Sequence, residues 1–168
     1  METVLVEKKN INEVVELLKQ DEVVAFPTET VFGLGVKFGN LSALEKIYEI
    51  KHRSHSKAVS LMIYDSQDIE KYAYVNTNAQ KLIDEFMPGM ITLVLKKKSI
   101  LSDDFTAGLE TIGIRIPDDP FVLELLKRVG PMLVTSANLA STVVKIDDDV
   151  TILRQGCISE EKIREVLK

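Results

Sequence analysis

The segment Pro27–Gly35 places hydroxyl side chains and two glycines directly after a short apolar run, Val23–Phe26. The apolar run predicts a buried strand that ends at Pro27. Ligands of α/β proteins bind at strand ends, and glycine lets a backbone approach a ligand closely, so this segment could form part of a binding site. A tight turn capped by Thr28 is the alternative. The segment is neither a dinucleotide fingerprint nor a P-loop, because residue 38 is phenylalanine and no Gly-Lys-Ser/Thr follows.

Three cations, Lys51, Arg53 and Lys57, lie within seven residues directly after a predicted helix. Together they could bind a phosphate chain, with arginine as a planar fork and lysine as a point charge. The alternative is that they only complement the negative end of the helix dipole. The two histidines, His52 and His55, lie here too, but no cysteine is near them. We therefore expect no metal site.

Arg115 lies inside the apolar segment Thr111–Pro117. A buried arginine is rare unless it is paired, so Arg115 could bind a carboxylate or a phosphate through two parallel hydrogen bonds. Exposure to solvent from an edge strand is the alternative.

Two other predicted strand ends carry polar side chains. Ser136 and Asn138 follow the apolar run Met132–Val134, and they would share one face if the strand continued. Arg154, with Gly156 close behind it, ends another short strand. A serine nucleophile would need a base, and no histidine is near Ser136 in sequence. Strand-end capping by the serine and surface exposure of the arginine are the alternatives.

Strand and helix signals alternate along the chain, which predicts a single α/β domain with a twisted mixed sheet flanked by helices. Helices are expected over 11–18, 41–48, 66–73, 77–87 and 121–129 and after Ser159. Strands are expected over 23–26, 59–63, 91–95, 111–116, 132–134, 143–144 and 152–153. We expect Asn10 to cap the first helix, Gly33 and Gly35 to interrupt the pattern, and residues 147–149 to form a solvated turn.

The chain has 168 residues and a net charge of −5, with 45% hydrophobic and 28% charged residues. This composition excludes a disordered chain and a generically basic nucleic-acid binder, but it allows a local basic pocket. The candidate cations Lys51, Arg53, Lys57, Arg115 and Arg154 all lie in loops or at strand ends. We therefore expect one electropositive pocket for a small polyanionic ligand.

Cys157 is the single cysteine, so the chain forms no internal disulfide. No apolar run approaches the roughly 20 residues of a membrane span, and the N-terminus has no basic region before an apolar one. We therefore expect a cytoplasmic protein without membrane contact.

In their order along the chain, these segments resemble the YrdC/TsaC-like threonylcarbamoyl-AMP synthases. The resemblance is carried by Pro27–Gly35, Lys51-x-Arg53, Met87–Gly89 before Ile91–Leu93, Ile112–Pro117, Thr135–Asn138, Ser141–Val144 and Ile152–Gly156. It implies a twisted α/β fold with a positive concave face. It also implies that L-threonine, bicarbonate or CO2, and ATP with Mg²⁺ give L-threonylcarbamoyl-adenylate and pyrophosphate. The product would supply threonylcarbamoyladenosine formation in tRNA, through a downstream tRNA threonylcarbamoyl transferase machinery.

The resemblance implies roles for individual residues as well. Lys51 and Arg53 are expected to be catalytic, and Arg53, Lys57, Thr111, Asn138 and Arg154 are expected to bind ATP. Arg115 would hold the threonine carboxylate, and Thr30, Ser136 and Ser141 would hydrogen-bond threonine or its carbamate. The carbamate oxygen would attack the α-phosphorus without a protein nucleophile. Catalysis would then come from positioning and charge stabilisation.

The chain departs from the family between Ala140 and Ser141. Members usually carry Ser-Gly after the Ser-Ala-Asn motif and a few dozen residues before the Ser-Thr-Val motif, whereas here Ser141 follows almost at once. Within one domain over residues 1–168, we expect either a true deletion or an omitted disordered loop between 140 and 141. Position 62, a candidate threonine contact, is methionine here.

Three other functions stay open. One is a module that binds tRNA or double-stranded RNA through the same basic pocket, which the net charge of −5 disfavours. Another is the YrdC-like domain of hydrogenase-maturation carbamoyl transferases, which occurs fused to further domains. The third is a degenerate, non-catalytic paralogue, which the shortened loop favours.

Overall fold

The structure is a computed structural model that describes residues 6–29, 32–52, 54–136 and 141–168. Thr30, Arg53 and Asn138, the side chain of Ser136 and the junction at Ala140 lie outside the described residues. Their expected roles therefore stay predictions.

The strands of the described residues form one eight-stranded sheet in the order β1-β2-β6-β3-β5-β4-β7-β8. They are β1 (Val24–Phe26), β2 (Gly33–Lys37), β3 (Ser60–Met62), β4 (Ile91–Lys96), β5 (Thr111–Arg115), β6 (Met132–Ser136), β7 (Thr142–Ile146) and β8 (Val150–Arg154). Strand β3 runs parallel to β5 and β4 runs parallel to β7, while the other neighbours are antiparallel. The predicted mixed sheet flanked by helices is confirmed.

The described residues also form six α-helices. They are α1 (Ile11–Lys19), α2 (Leu41–Lys51), α3 (Ile69–Tyr72), α4 (Thr77–Phe86), α5 (Pro120–Val129) and α6 (Glu160–Leu167). Helix α1 precedes the first strand and α6 follows the last. Side-chain caps start several of them: Asp119 accepts from the Phe121 and Val122 amides before α5, and Ser159 accepts from the Lys162 amide before α6. None of these helices combines the length and the apolar character that a bilayer crossing needs.

The expected cap of the first helix is wrong. Asn10 precedes α1, but its side chain makes no capping hydrogen bond. The backbone of Asn10 belongs to a 3₁₀ turn, Lys8–Asn10, and has φ −92° and ψ 44°. A capping side chain needs extended backbone at that position, so the turn prevents the cap.

The expectation that Gly33 and Gly35 interrupt the pattern is also wrong, because both lie in β2. A Cβ on Gly35 would lie 2.9 Å from the Phe26 ring and 3.1 Å from a Val134 methyl group. A Cβ on Gly33 would meet the same two side chains. The glycines therefore make room for core packing across the sheet. Strand β1 is an edge strand with Ala25 exposed, so the expectation of a fully buried strand is wrong as well.

One face of the sheet is mainly apolar and is packed by helices α2, α3, α4 and α6, with the buried hydroxyl residues Thr135 and Thr142 among its aliphatic side chains. Strand side chains such as Leu61, Leu93 and Ile114 are completely buried there. They form one cluster with Leu44 and Ile47 of α2 and with the buried side chains of the other three helices. Burial of large aliphatic side chains stabilises this face by about 1.5–3 kcal/mol each.

The opposite face is packed by helices only in part. Helices α1 and α5 place Leu18, Leu125 and Leu126 in a second cluster with Phe26 and Met62. This cluster covers the part of the face formed by β1, β2, β6 and the end of β3. Strands β5, β4, β7 and β8 contribute no side chain to it among the described residues.

Candidate functional site

We call the uncovered part of the second face the open half-face. The pairing register puts Ser60, Gly113, Val94 and Lys145 side by side, and alternate residues along each strand point the same way. The half-face therefore includes Ser60, Thr92, Val94, Lys96, Thr111, Gly113, Arg115, Val143, Lys145 and Thr151, and the bulge between Val143 and Val144 adds Arg154. Its charged strand residues are all basic. The expected concavity of this face stays a prediction.

Small side chains form the centre of the open half-face. A Cβ on Gly113 would lie 3.2 Å from Thr92 Cγ2 and 3.3 Å from Ser60 Oγ. These contacts are tight enough that a larger residue at 113 would displace its neighbours. Gly113 therefore leaves room for the Thr92 and Ser60 side chains on either side of it.

Arg115 ends β5 and is buried, with 5% of its surface exposed. Its Nη2 donates to Oε1 of Glu29 at 2.5 Å. Glu29 follows β1 by three residues, and its side chain reaches Arg115 although three strands lie between β1 and β5 in the sheet. The alternative of an exposed arginine on an edge strand is excluded, because β5 lies between β3 and β4.

Arg154 and Ser141 contact each other directly. Arg154 donates through Nε to the Ser141 carbonyl at 3.0 Å and through Nη2 to Ser141 Oγ at 2.9 Å. Next to them, the hydroxyl of Thr142 accepts from the amides of Gly156 and Ile158. These bonds fix the start of β7 against the residues that follow β8. Arg154 is therefore not an ordinary surface arginine, because its guanidinium makes two hydrogen bonds to Ser141.

Lys51 is the last residue of α2, so it lies in the helix, and the expectation that it lies in a loop is wrong. The loop that follows, with Lys57, is held to α2 by ring and hydrogen-bond contacts. His55 lies 4.7 Å from the Tyr48 ring and 2.6 Å, through Nε2, from a carboxylate oxygen of Glu45. Tyr48 donates its hydroxyl hydrogen to the Lys57 carbonyl at 3.2 Å. The side chain of Lys57 is exposed. His55 thus has a structural contact with one carboxylate, and the described residues contain no group of three or more metal-ligating side chains.

The described candidates lie at two ends of the open half-face. Lys57 comes just before β3, at the end where β5 begins with Thr111 and β6 finishes with Ser136. Arg115 lies at the other end, about 13 Å further along β5 at a strand rise of about 3.3 Å per residue. Val143 pairs with Arg154, so β7 brings Arg154 to the Arg115 end. The two ends could hold two parts of one extended ligand.

Sequence reasoning missed several residues of this face. Glu29 lies in the Pro27–Gly35 segment, but only tertiary contact shows that it pairs with Arg115. Ser60, Thr92 and Gly113 lie within predicted strands and have no predicted role in a site. Their signal was the alternation of small or polar residues with large aliphatic ones, which predicts one covered and one open face.

The family model Sua5/YciO/YrdC, described as "Telomere recombination", matches residues 16–154. The chain belongs to this family. A protein of Methanocaldococcus jannaschii is 40% identical over 146 residues, which cover 82% of this chain and 69% of that protein. The threonylcarbamoyl-AMP synthase of Bacillus subtilis is 36% identical, with 90% of this chain and 54% of that protein covered.

A solved structure of this family has the same fold. The crystal structure of P. abyssi Sua5 complexed with L-threonine superposes with a TM-score of 0.89 at 26% identity. The match covers 98% of this chain and 59% of that one. The chain therefore spans little more than half the length of the Bacillus and P. abyssi proteins.

Proposed function

We propose that the protein synthesises L-threonylcarbamoyl-adenylate from L-threonine, bicarbonate or CO2, and ATP, with release of pyrophosphate. The observation that carries the proposal is Arg115, a buried guanidinium among small polar side chains on an open sheet face. The family relatives named threonylcarbamoyl-AMP synthase and the relative solved with L-threonine support it. The activity is that of a nucleotidyltransferase.

The candidate residues would form two groups, one that binds threonine and one that binds ATP. Arg115 would hold the threonine carboxylate, with Ser141 at the same end of the open half-face and Thr30 also contacting the amino acid. Ser136, which the resemblance assigns to threonine, ends β6 at the opposite end, where β5 begins with Thr111. Lys51 and Arg53 would act on the reacting phosphates, and Arg53, Lys57, Thr111, Asn138 and Arg154 would hold the nucleotide. These side chains would position the carbamate oxygen and stabilise charge as it attacks the α-phosphorus.

Mg²⁺ would arrive with ATP and neutralise phosphate charge. Magnesium is commonly held by substrate phosphates, water and one or two carboxylates, so it needs no all-protein cage. Every described charge on the strands of the open half-face is basic, which fits a protein that binds the phosphates themselves.

The product would supply the transferase machinery that completes threonylcarbamoyladenosine in tRNA, in the cytoplasm. Direct contact with tRNA is a second candidate property, since the basic half-face could also accept RNA phosphates. A salt-dependent affinity for tRNA in the absence of ATP would support it.

The decisive measurement is threonine-dependent pyrophosphate release from ATP, with labelled bicarbonate recovered in the adenylate. We expect both products with wild-type protein. Arg115→Ala should abolish them at ordinary threonine concentrations. Arg128→Ala is the matched control, because Arg128 pairs with Glu124 and Asn12 on the outer side of α1 and α5. Absence of any threonine-dependent product at high enzyme concentration would contradict the proposal.

We further propose that the chain is one domain that lacks, between Ala140 and Ser141, a stretch that its relatives carry. Three strands separate β6 from β7, so four spacings of about 4.8 Å put the two strands about 19 Å apart. The register places Ser136 and Thr142 at opposite ends of the sheet, about five residues apart along the strands, so the two residues are about 25 Å apart. Six residue steps reach at most about 20–22 Å, so a longer link fits this sheet better. The alignment with the Bacillus protein runs over 188 residues, more than the 168 of this chain, so that protein has residues without a counterpart here.

Insertion of the Bacillus stretch between Ala140 and Ser141 tests this proposal. We expect a higher melting temperature and tighter ATP binding than in the parent chain. A glycine-serine insertion of the same length should raise the melting temperature equally but leave the ATP affinity at that of the parent chain. No change with either insertion would show that the short link is tolerated as it stands.

A further inference from the structure

We propose that Glu29 binds the α-ammonium group of the amino-acid substrate while Arg115 binds its carboxylate. The inference rests on the proposed function, because it names how the same site recognises its amino acid. Glu29 belongs to the Pro27–Gly35 segment, and the sequence alone predicts no role for it.

The Glu29–Arg115 pair is a charged pair inside the protein. The two side chains are 15% and 6% exposed. Taking two charges out of water is costly, and one hydrogen-bonded contact rarely recovers that cost in full. Such a pair is therefore weak as a stabilising device, and a role in binding is the stronger explanation for its place on an open sheet face.

The second carboxylate oxygen of Glu29, Oε2, is the candidate acceptor for a hydrogen bond from the substrate. Oε2 is buried and accepts no hydrogen bond from any described residue. A buried acceptor without a donor costs about 1–3 kcal/mol, and more when it is charged. A donor supplied by the substrate would remove that cost on binding. Oε1 is already engaged by Arg115, so the two oxygens have different functions.

An α-amino acid carries the matching groups on one carbon. Its carboxylate suits a guanidinium, whose planar set of N–H donors can bind a carboxylate through two parallel hydrogen bonds. Its ammonium group suits a carboxylate oxygen, and the two charged groups of the substrate are as close together as those of the Glu29–Arg115 pair. Bicarbonate and ATP are anionic and have no cationic group for Oε2.

The competing explanation is that Glu29 only orients Arg115. The two explanations differ in which group of the substrate depends on Glu29: its carboxylate, through Arg115, or its ammonium group, directly. A residue that orients Arg115 affects every ligand with a carboxylate, whereas a residue that binds the ammonium group affects only ligands with that group.

The experiment measures binding of L-threonine and of 3-hydroxybutanoate, which lacks the amino group, to wild type and to Glu29→Gln. Glutamine keeps the shape and an oxygen that can accept from Arg115, but it presents an amide N–H₂ or an uncharged oxygen to the ammonium group. We expect threonine affinity to fall at least tenfold, the usual size for one hydrogen bond to a charged group. The affinity for 3-hydroxybutanoate should change less than twofold.

An equal loss for both ligands, or no loss for threonine, would overturn the inference. ATP affinity of Glu29→Gln serves as the folding control, since Glu29 is not placed at the nucleotide. If the variant does not fold, wild type alone decides: it should bind threonine at least tenfold more tightly than 3-hydroxybutanoate, and equal affinities would overturn the inference. Wild type that binds ATP but neither L-threonine nor 3-hydroxybutanoate would refute the proposed function. Equal binding of both ligands would overturn only the inference about Glu29.

Discussion

The two faces of the sheet differ in what covers them and in which residues they carry. The helix-covered face is built from large aliphatic side chains such as Leu61, Leu93 and Ile114, all completely buried. The open half-face carries serine, threonine, glycine, lysine and arginine on the same strands. Strand β5 shows both patterns, since Ile112 and Ile114 face the helices while Thr111, Gly113 and Arg115 face the open side.

This difference separates stability from function along a single strand. Burial on the covered face supplies the free energy of folding, so the open half-face can carry small and charged residues that add little to it. Substitutions on the two faces should accordingly have different effects, and a residue that affects both must link them.

Arg115→Ala should have the largest combined effect, because it removes a candidate ligand contact and leaves Glu29 buried without its partner. Breaking a buried pair from one side costs about 3–5 kcal/mol. Threonine affinity should fall at least tenfold at the same time. Denaturant unfolding and calorimetric titration measure the two losses separately. In Arg115→Ala/Glu29→Gln most of the stability should return and the affinity should not, and return of both would contradict the assignment.

Ile114→Ala should affect stability alone. Deleting a fully buried aliphatic side chain costs about 2–5 kcal/mol, and Ile114 is 0% exposed. The folded fraction should still bind threonine and ATP as wild type does. Equilibrium unfolding with urea, together with titration at low temperature, checks both statements. A specific loss of threonine affinity would show that the two faces are not independent.

Ser141→Ala should have a smaller effect that reaches both ligands. It removes the hydroxyl to which Arg154 donates, at a cost of about 0.5–1.5 kcal/mol in stability. Because Ser141 is a candidate threonine contact and Arg154 a candidate nucleotide contact, each affinity should fall a few fold. Titration with each ligand measures this. Thr142→Ala is the comparison, since Thr142 is completely buried and should lower stability with little change in binding.

Asp147→Asn should have the smallest effect, because Asp147 is in the exposed turn between β7 and β8. A hydrogen bond from Lys145, and then one from the Asp149 amide, lower the pKa of Asp147 below its usual 3.8. The lowered pKa contributes stability above pH 3.8, and that contribution is lost as the pH falls through the folded-state pKa. The melting-temperature difference between wild type and variant should therefore shrink below pH 3.8. A difference that stays constant down to pH 2 would contradict this.

Most helices and strands could be predicted from the sequence because they depend on local periodicity. The stripe of Ile11–Leu18 and the apolar run before Pro117 gave α1 and β5 nearly to the residue. Gly33 and Gly35 could not be predicted as strand residues, since local preference disfavours glycine there. The reason for them is Phe26, which packs across both positions only when no Cβ is present.

The sequence by itself determined the α/β class, the family and the set of candidate residues, because these depend on residue types and their order. Only the tertiary structure decided that one half of one sheet face stays open, since that depends on which strands become neighbours. It likewise decided that Arg115 contacts Glu29, 86 residues away in the chain, and that Arg154 contacts Ser141. Pairings over such distances depend on strand order and register, which no local pattern encodes.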